Sequence, residues 1–177
     1  MKSLTIYRIF SYILVTIAII LGFASLIALL IALSNPVLLI SVFIIIAVVI
    51  YSFASFLFLN NGIDGKRNLK PGMKDFIKVN AYVAIVFVVM NIFQFITVMS
   101  NNAVFNEALN QVKTFQNNQS PLSKELMLKM MKGIMWFLFF YAIILGIHIS
   151  ITFRLLKQYD HLFSEKNIDD IHPTRLD

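Results

Sequence analysis

Long uncharged apolar runs, separated by polar segments, dominate the chain. The first run covers residues 9–33, the second 37–59, and two more cover about 79–99 and 133–153. At about 1.5 Å rise per residue, a helix over each run reaches across the roughly 30 Å hydrocarbon core of a bilayer. Because lipid cannot hydrogen-bond backbone groups, we expect helices here even where β-branched residues are frequent.

The polar segments between the runs carry turn and helix-start signals. Asn35 is placed as an N-cap, and Pro36 follows at the first helical position, where its missing N–H costs nothing. Residues 60–78 combine Asn, Gly and Pro with clustered cations, a composition typical of a loop. We predict an all-α, polytopic membrane protein with four transmembrane helices in a bundle.

Residues 103–132, between the third and fourth spans, have an amphipathic pattern instead. Apolar residues recur there at helical spacing on both sides of a turn at residues 117–121. We predict an extracytoplasmic helical hairpin. The alternative is a first arm that bends at residues 100–102 and lies on the membrane surface. Residues 1–159 then form one membrane domain, and residues 160–177 form a polar tail.

Composition supports lipid rather than nucleic acid as the partner of this chain. The sequence is 59% hydrophobic and 14% charged, with a mean hydropathy of +0.80. The net charge is +6, but the cations lie beside the apolar runs instead of forming a basic face. With both termini cytoplasmic, eleven lysines and arginines face the cytoplasm and four face outward, as the positive-inside rule favours. We predict location in a bacterial inner membrane.

Several kinds of chemistry have no residues to support them. The chain has no cysteine, which excludes disulfides, thiolate metal sites and covalent haem attachment through cysteine. All nine carboxylates lie outside the four runs, so no acidic residue is placed for intramembrane proton or sodium coupling. We find no phosphate-binding loop, metalloprotease motif or nucleophile elbow. The sequence therefore predicts neither an enzyme nor a bound cofactor.

His148 is the only ionisable side chain well inside a predicted span. It could serve as a haem ligand or a proton relay, because such residues often mark functional sites in membranes. The competing interpretation is a histidine that is hydrogen-bonded between helices, and we favour it because axial ligation by two histidines would require a dimer. Tyr141 and Thr152 fall near the same helical face.

Three amide side chains, Asn80, Asn91 and Gln94, share one stripe of the third span. They could line a polar path for a solute. We favour hydrogen bonds to a neighbouring helix, since amides commonly hold transmembrane helices together.

Two further patterns are typical of helix packing. Small residues, Ala18, Gly22, Ser25 and Ala32, recur along the first span and let helix backbones approach closely, either within the chain or between chains. The thioethers of Met127, Met130 and Met131 could bind Cu(I). Methionine is also an adaptable packing residue, which is the interpretation we favour. Likewise, Asp169, Asp170 and His172 are better explained by a solvated tail than by a metal site.

These patterns lead to three functional hypotheses. The first is an accessory, assembly or scaffold protein that acts through helix–helix and protein–protein contacts, with itself as a homo-oligomer or with another membrane protein. The second is an oligomeric pore or carrier lined by Asn80, Asn91, Gln94 and His148. The third is a haem-binding electron-transfer subunit that uses His148.

Overall fold

The computed structural model of the chain describes residues 2–34, 36–101, 103, 107 and 124–163. Every regular element in these ranges is helical, which confirms the predicted all-α class. The elements in chain order are α1 (Lys2–Ala32), α2 (Pro36–Leu57), a π-helical segment (Phe58–Asp64), α3 (Pro71–Ser100), α4 (Lys124–Gln158) and a 3-10 turn (Asp160–Phe163).

Within the described ranges, four helices are long and apolar enough to cross a membrane. They are Ser3–Ala32, Leu38–Asp64, Pro71–Ser100 and Leu128–Gln158. The helices extend beyond the apolar runs: α3 begins at Pro71, where the sequence predicts a loop as far as residue 78. Proline at this position starts the helix without losing a hydrogen bond.

The predicted extracytoplasmic hairpin falls mostly on residues outside the described ranges. Helix α3 ends at Ser100, and Asn101 is not helical. The backbone N–H of Ala103 donates a hydrogen bond of 2.9 Å to Oδ1 of Asn101, which is the geometry of a helix N-cap. The pairing of the two arms stays a prediction.

The chain divides into two compact units, Met1–Ala84 with His148–Asp177, and Ile85–Ile147. In the first unit, α1 and α2 pack along the small residues of α1. Ala18 and Ala32 are fully buried and Ser25 is nearly so, while a Cβ atom added to Gly22 would lie 3.6 Å from Cγ1 of Val49. The small-residue face of α1 is therefore covered within the chain.

One end of the first unit is closed by the π-helical segment, the following loop and the 3-10 turn. The N–H of Leu69 donates to the carbonyl of Leu162 at 2.7 Å, and the rings of Phe58 and Phe163 stack with centroids 5.6 Å apart. Leu162 and Phe163 are buried, which corrects the predicted polar tail that begins at residue 160. Arg8 of α1 forms an ion pair with Asp64 at this same end.

The second unit joins the later half of α3 to the earlier half of α4 mainly through aromatic contacts. Phe95 stacks on Phe139 with ring centroids 4.1 Å apart and meets Trp136 edge to face at 4.8 Å. Gly146 permits a close approach, since a Cβ atom there would lie 3.5 Å from Cγ1 of Val88.

Candidate functional site

The most distinctive feature of the first unit is a polar cluster around His148, deep among apolar side chains. His148 and Thr152 of α4 are fully buried, as is Tyr51 of α2, while Ser11 of α1 is 1% exposed. Three helices thus place hydroxyl groups around one imidazole. Buried polar groups are stable only when they are hydrogen-bonded, so the partners of each group decide what the cluster can do.

Both ring nitrogens of His148 are engaged. Nε2 lies 2.9 Å from Oγ of Ser11, and Nδ1 lies 2.8 Å from the Tyr51 hydroxyl. The Tyr51 hydroxyl also lies 2.7 Å from Oγ1 of Thr152. Thr152 in turn donates to the backbone carbonyl of His148, one helical turn earlier, at 2.8 Å. The contacts form one continuous chain of hydrogen bonds.

The direction of this chain follows from counting hydrogens. Thr152 has one hydroxyl hydrogen and gives it to the His148 carbonyl, so Tyr51 must be the donor in its bond with Thr152. Tyr51 then has no hydrogen left, and Nδ1 of His148 must donate to it. A neutral imidazole that donates from Nδ1 accepts at Nε2, so Ser11 donates to Nε2. We therefore assign the neutral Nδ1–H tautomer.

Tyr7 completes the cluster from α1. Its ring stacks on the imidazole with centroids 4.5 Å apart and planes inclined by 10°. Its hydroxyl donates to the backbone carbonyl of Ser55 at 3.2 Å. Ser52 and Ser55 of α2 donate to carbonyls of their own helix. The imidazole is thus covered on one face and bonded at both nitrogens.

This arrangement suits interhelical attachment better than ligand binding. A haem iron or another metal would need one ring nitrogen free of its hydrogen bond and a vacant approach beside it. In the structure described here, that would require Ser11 or Tyr51 to give up its bond with His148. A proton relay would need a route to water, and the imidazole is 0% exposed. The chain of bonds joins α1, α2 and α4 instead.

The predicted amide stripe has a different environment. Asn80 donates to the carbonyl of Phe76, and Asn91 to that of Phe87, each within α3 and each at 2.9 Å. Such bonds satisfy the amide N–H within its own helix, so no neighbouring helix is needed as the acceptor. Gln94 is exposed and, among the described residues, has no hydrogen-bond partner. Asn91 and Gln94 line a small depression in the second unit together with Phe95, Met135 and Leu138.

The predicted thioether cluster is only partly covered by the described residues. Met130 is 53% exposed and Met131 is partly exposed, while the side chain of Met127 lies outside the description. Asp169, Asp170 and His172 also lie outside the described ranges. Within those ranges, no group of three His, Asp or Glu side chains is placed to hold a metal ion.

Of the residues in this cluster, His148 and Thr152 are predictable from the sequence, whereas Tyr7, Ser11 and Tyr51 are not. Thr152 lies one turn from His148 on the same helix, so spacing alone relates the two. The others belong to α1 and α2, and no spacing in the sequence relates them to α4. The one available signal was the presence of these polar residues within apolar helices, since each would need a buried partner.

The comparisons with known proteins give no match: neither a family model, nor a curated protein, nor a solved structure is similar to this chain.

Proposed function

We propose that this protein is a multi-pass protein of a bacterial cytoplasmic membrane, acting as an accessory or scaffold subunit through contacts between its helices and those of another subunit. The observation that carries the proposal is the contrast between two sets of polar groups. The His148 cluster is satisfied inside the chain, whereas the Gln94 amide is exposed on an apolar helix.

The reason lies in the cost of an unpaired amide in lipid. An amide transferred to an apolar environment without a hydrogen bond loses several kcal/mol, of the order of 4–8 in cyclohexane. A partner helix can supply a donor and an acceptor, and such bonds between transmembrane helices contribute about 0.6–2 kcal/mol each. The adjacent Asn91 and the depression beside it would widen such a contact.

Orientation within the membrane is part of the same proposal. Arg8, near the start of α1, pairs with Asp64, and Leu69 donates a backbone hydrogen bond to Leu162, which follows α4. The start of α1, the 60–70 loop and the segment after α4 therefore lie at the same end of the first unit. This supports cytoplasmic termini together with the cytoplasmic loop favoured by the cation count. Single cysteines at Lys66 and Lys113 test it, because the native chain has none. Labelling of position 113 alone by an impermeant reagent from outside is expected; labelling of position 66 alone would reverse the orientation.

Site-specific crosslinking in native membranes tests the partner contact. We expect a benzophenone photocrosslinking amino acid at position 94, which reacts with C–H bonds of whatever lies beside it, to give a defined crosslinked protein product. The matched control places the same crosslinker at position 93. Phe93 is the preceding residue of the same helix; it is apolar and 71% exposed, as a lipid-facing residue should be. A product at position 94 alone would support the proposal. No product at position 94, or equal products at both positions, would contradict it.

A further inference from the structure

A second feature of the first unit lies at the end where α3 begins and α4 ends. Two contacts hold the helices side by side there. Nζ of Lys74 is 2.5 Å from Oδ1 of Asp160, and the rings of Tyr82 and Phe153 are 5.4 Å apart. These contacts act as two rungs between α3 and the end of α4, with one level of side chains between them.

Cations from both helices occupy that intermediate level. On α3, Lys78 lies four residues after Lys74 and four before Tyr82, so all three share one face. On α4, Lys157 lies four residues after Phe153 and three before Asp160. Lys78 and Lys157 are therefore brought to the same level.

Arg154 adds a third cation, one turn before Lys157 on α4 and exposed. The nearby carboxylates only partly neutralise this group. Asp160 is engaged with Lys74, and the pKa of its carboxyl is held below the usual range by that hydrogen bond and by the charges of Lys74 and Lys78. Asp75 lies 3.7 Å from Lys78 within α3 and is mostly exposed. In the described part of the chain, no carboxylate lies within 4.0 Å of Arg154 or Lys157.

The position of these three cations along the helices indicates which ligand they meet. Lys78 and Arg154 directly flank the predicted apolar spans 79–99 and 133–153, where long cationic side chains extend to the phosphate layer of a bilayer. Tyr82 lies one turn beyond Lys78 toward the apolar side and is 62% exposed, and Phe153 lies one turn beyond Lys157 and directly beside Arg154. Aromatic rings at this depth contact the upper part of acyl chains.

We propose that Lys78, Arg154 and Lys157 form a binding site for the phosphate of an anionic phospholipid, whose acyl chain lies against Tyr82 and Phe153. Like charges brought together by the two rungs repel one another, and a phosphate between them removes that repulsion while accepting their hydrogen bonds. Basic pockets between transmembrane helices on the cytoplasmic side bind lipid headgroups by this chemistry. The site shares no residue with the proposed contact at Gln94, so each proposal can fail without the other.

Native mass spectrometry of the full chain in detergent tests the site with three probes: dioleoyl phosphatidylglycerol, dioleoyl phosphatidylcholine and inorganic phosphate. We expect the wild-type chain to bind phosphatidylglycerol more tightly than phosphatidylcholine. Arg154→Gln combined with Lys157→Gln should weaken phosphatidylglycerol binding by about thirtyfold, since each cation near the surface contributes about 1 kcal/mol.

The control is Arg67→Gln combined with Lys70→Gln, which removes the same charge from the exposed loop that precedes α3. It should leave the preference for phosphatidylglycerol unchanged, and so should the charge-conserving pair Arg154→Lys and Lys157→Arg. Equal losses in the test and control pairs would overturn the site in favour of a diffuse positive surface. Unchanged binding in the test pair would overturn it outright. Equally tight binding of inorganic phosphate would overturn the assignment to a lipid.

Discussion

Replacing Tyr51 by phenylalanine isolates the hydrogen bonds of the His148 cluster from its packing. The ring remains in its edge-to-face contact with the imidazole, whose centroid is 5.7 Å away. Only the hydroxyl is lost, and with it the acceptor for Nδ1–H of His148 and the donor to Thr152. Two fully buried groups then each lack one hydrogen-bond partner.

The size of the effect can be bounded from two kinds of measurement. Leaving a buried donor or acceptor unsatisfied costs about 1–3 kcal/mol per group. Hydrogen bonds between transmembrane helices average about 0.6 kcal/mol and reach about 1.7, because the unfolded chain in a membrane also finds partners. For two affected groups we expect a loss of about 1–3 kcal/mol in the free energy of unfolding, measured by denaturant titration in mixed micelles.

Tyr12→Phe is the matched control. Tyr12 lies on α1 and its ring contacts Phe56 of α2, but its side chain is 56% exposed. It should change stability by less than about 0.5 kcal/mol. A double-mutant cycle with His148→Leu should show that Tyr51→Phe costs less once the imidazole is gone. Additive costs, or equal costs for Tyr51→Phe and Tyr12→Phe, would refute the proposed chain. So would a ¹⁵N spectrum of His148 that shows the Nε2–H tautomer.

Three further predictions concern packing and charge. Gly22→Leu should lower the free energy of unfolding by about 1–3 kcal/mol through overpacking against α2, whereas Leu21→Ile should change it little; equal thermal stability of the two would count against the small-residue face. Gly65→Ala should destabilise the chain, since the new Cβ would lie 2.7 Å from a backbone carbonyl oxygen, whereas Gly72→Ala has open space around it and should not. Equal shifts of the unfolding temperature in the two variants would contradict this. As pH falls through the lowered pKa of Asp160, its ion pair with Lys74 of α3 should be lost. The acid-induced fall in the free energy of unfolding should therefore be smaller in Asp160→Asn, in which the pair is already absent. Identical dependence of unfolding on pH in the two proteins would count against the pair.

The four membrane-length helices of the described ranges could be predicted from the sequence because lipid allows few alternatives to a helix. Their ends could not. Apolar runs mark what lies in hydrocarbon, but α3 continues through Lys74 and Lys78 because a helix does not stop where the membrane does. The π-helical segment could not be predicted from the sequence either. Within it, Gly62 lets the side chain of Leu69 approach closely: a Cβ atom on Gly62 would lie 2.8 Å from Cδ1 of that leucine.

The candidate site was predictable only at its centre. His148 is conspicuous as a lone ionisable residue in an apolar helix, but its partners lie 137 residues away at Ser11 and 97 residues away at Tyr51. The amides show the reverse difficulty. Helical spacing placed Asn91 on a common stripe, yet it could not reveal that the side chain bonds to its own helix, at Phe87.

The hydrogen-bond chain also has a consequence for the order in which the protein is made. Helices α1 and α2 leave the ribosome before α4, and the contact along Gly22 is made between these two helices. Until His148 is synthesised, however, Ser11 and Tyr51 lack the imidazole between them. Among the described helices, α1 and α2 therefore meet first as a hairpin, and their hydroxyl groups at Ser11 and Tyr51 gain the imidazole contact only when α4 has been made.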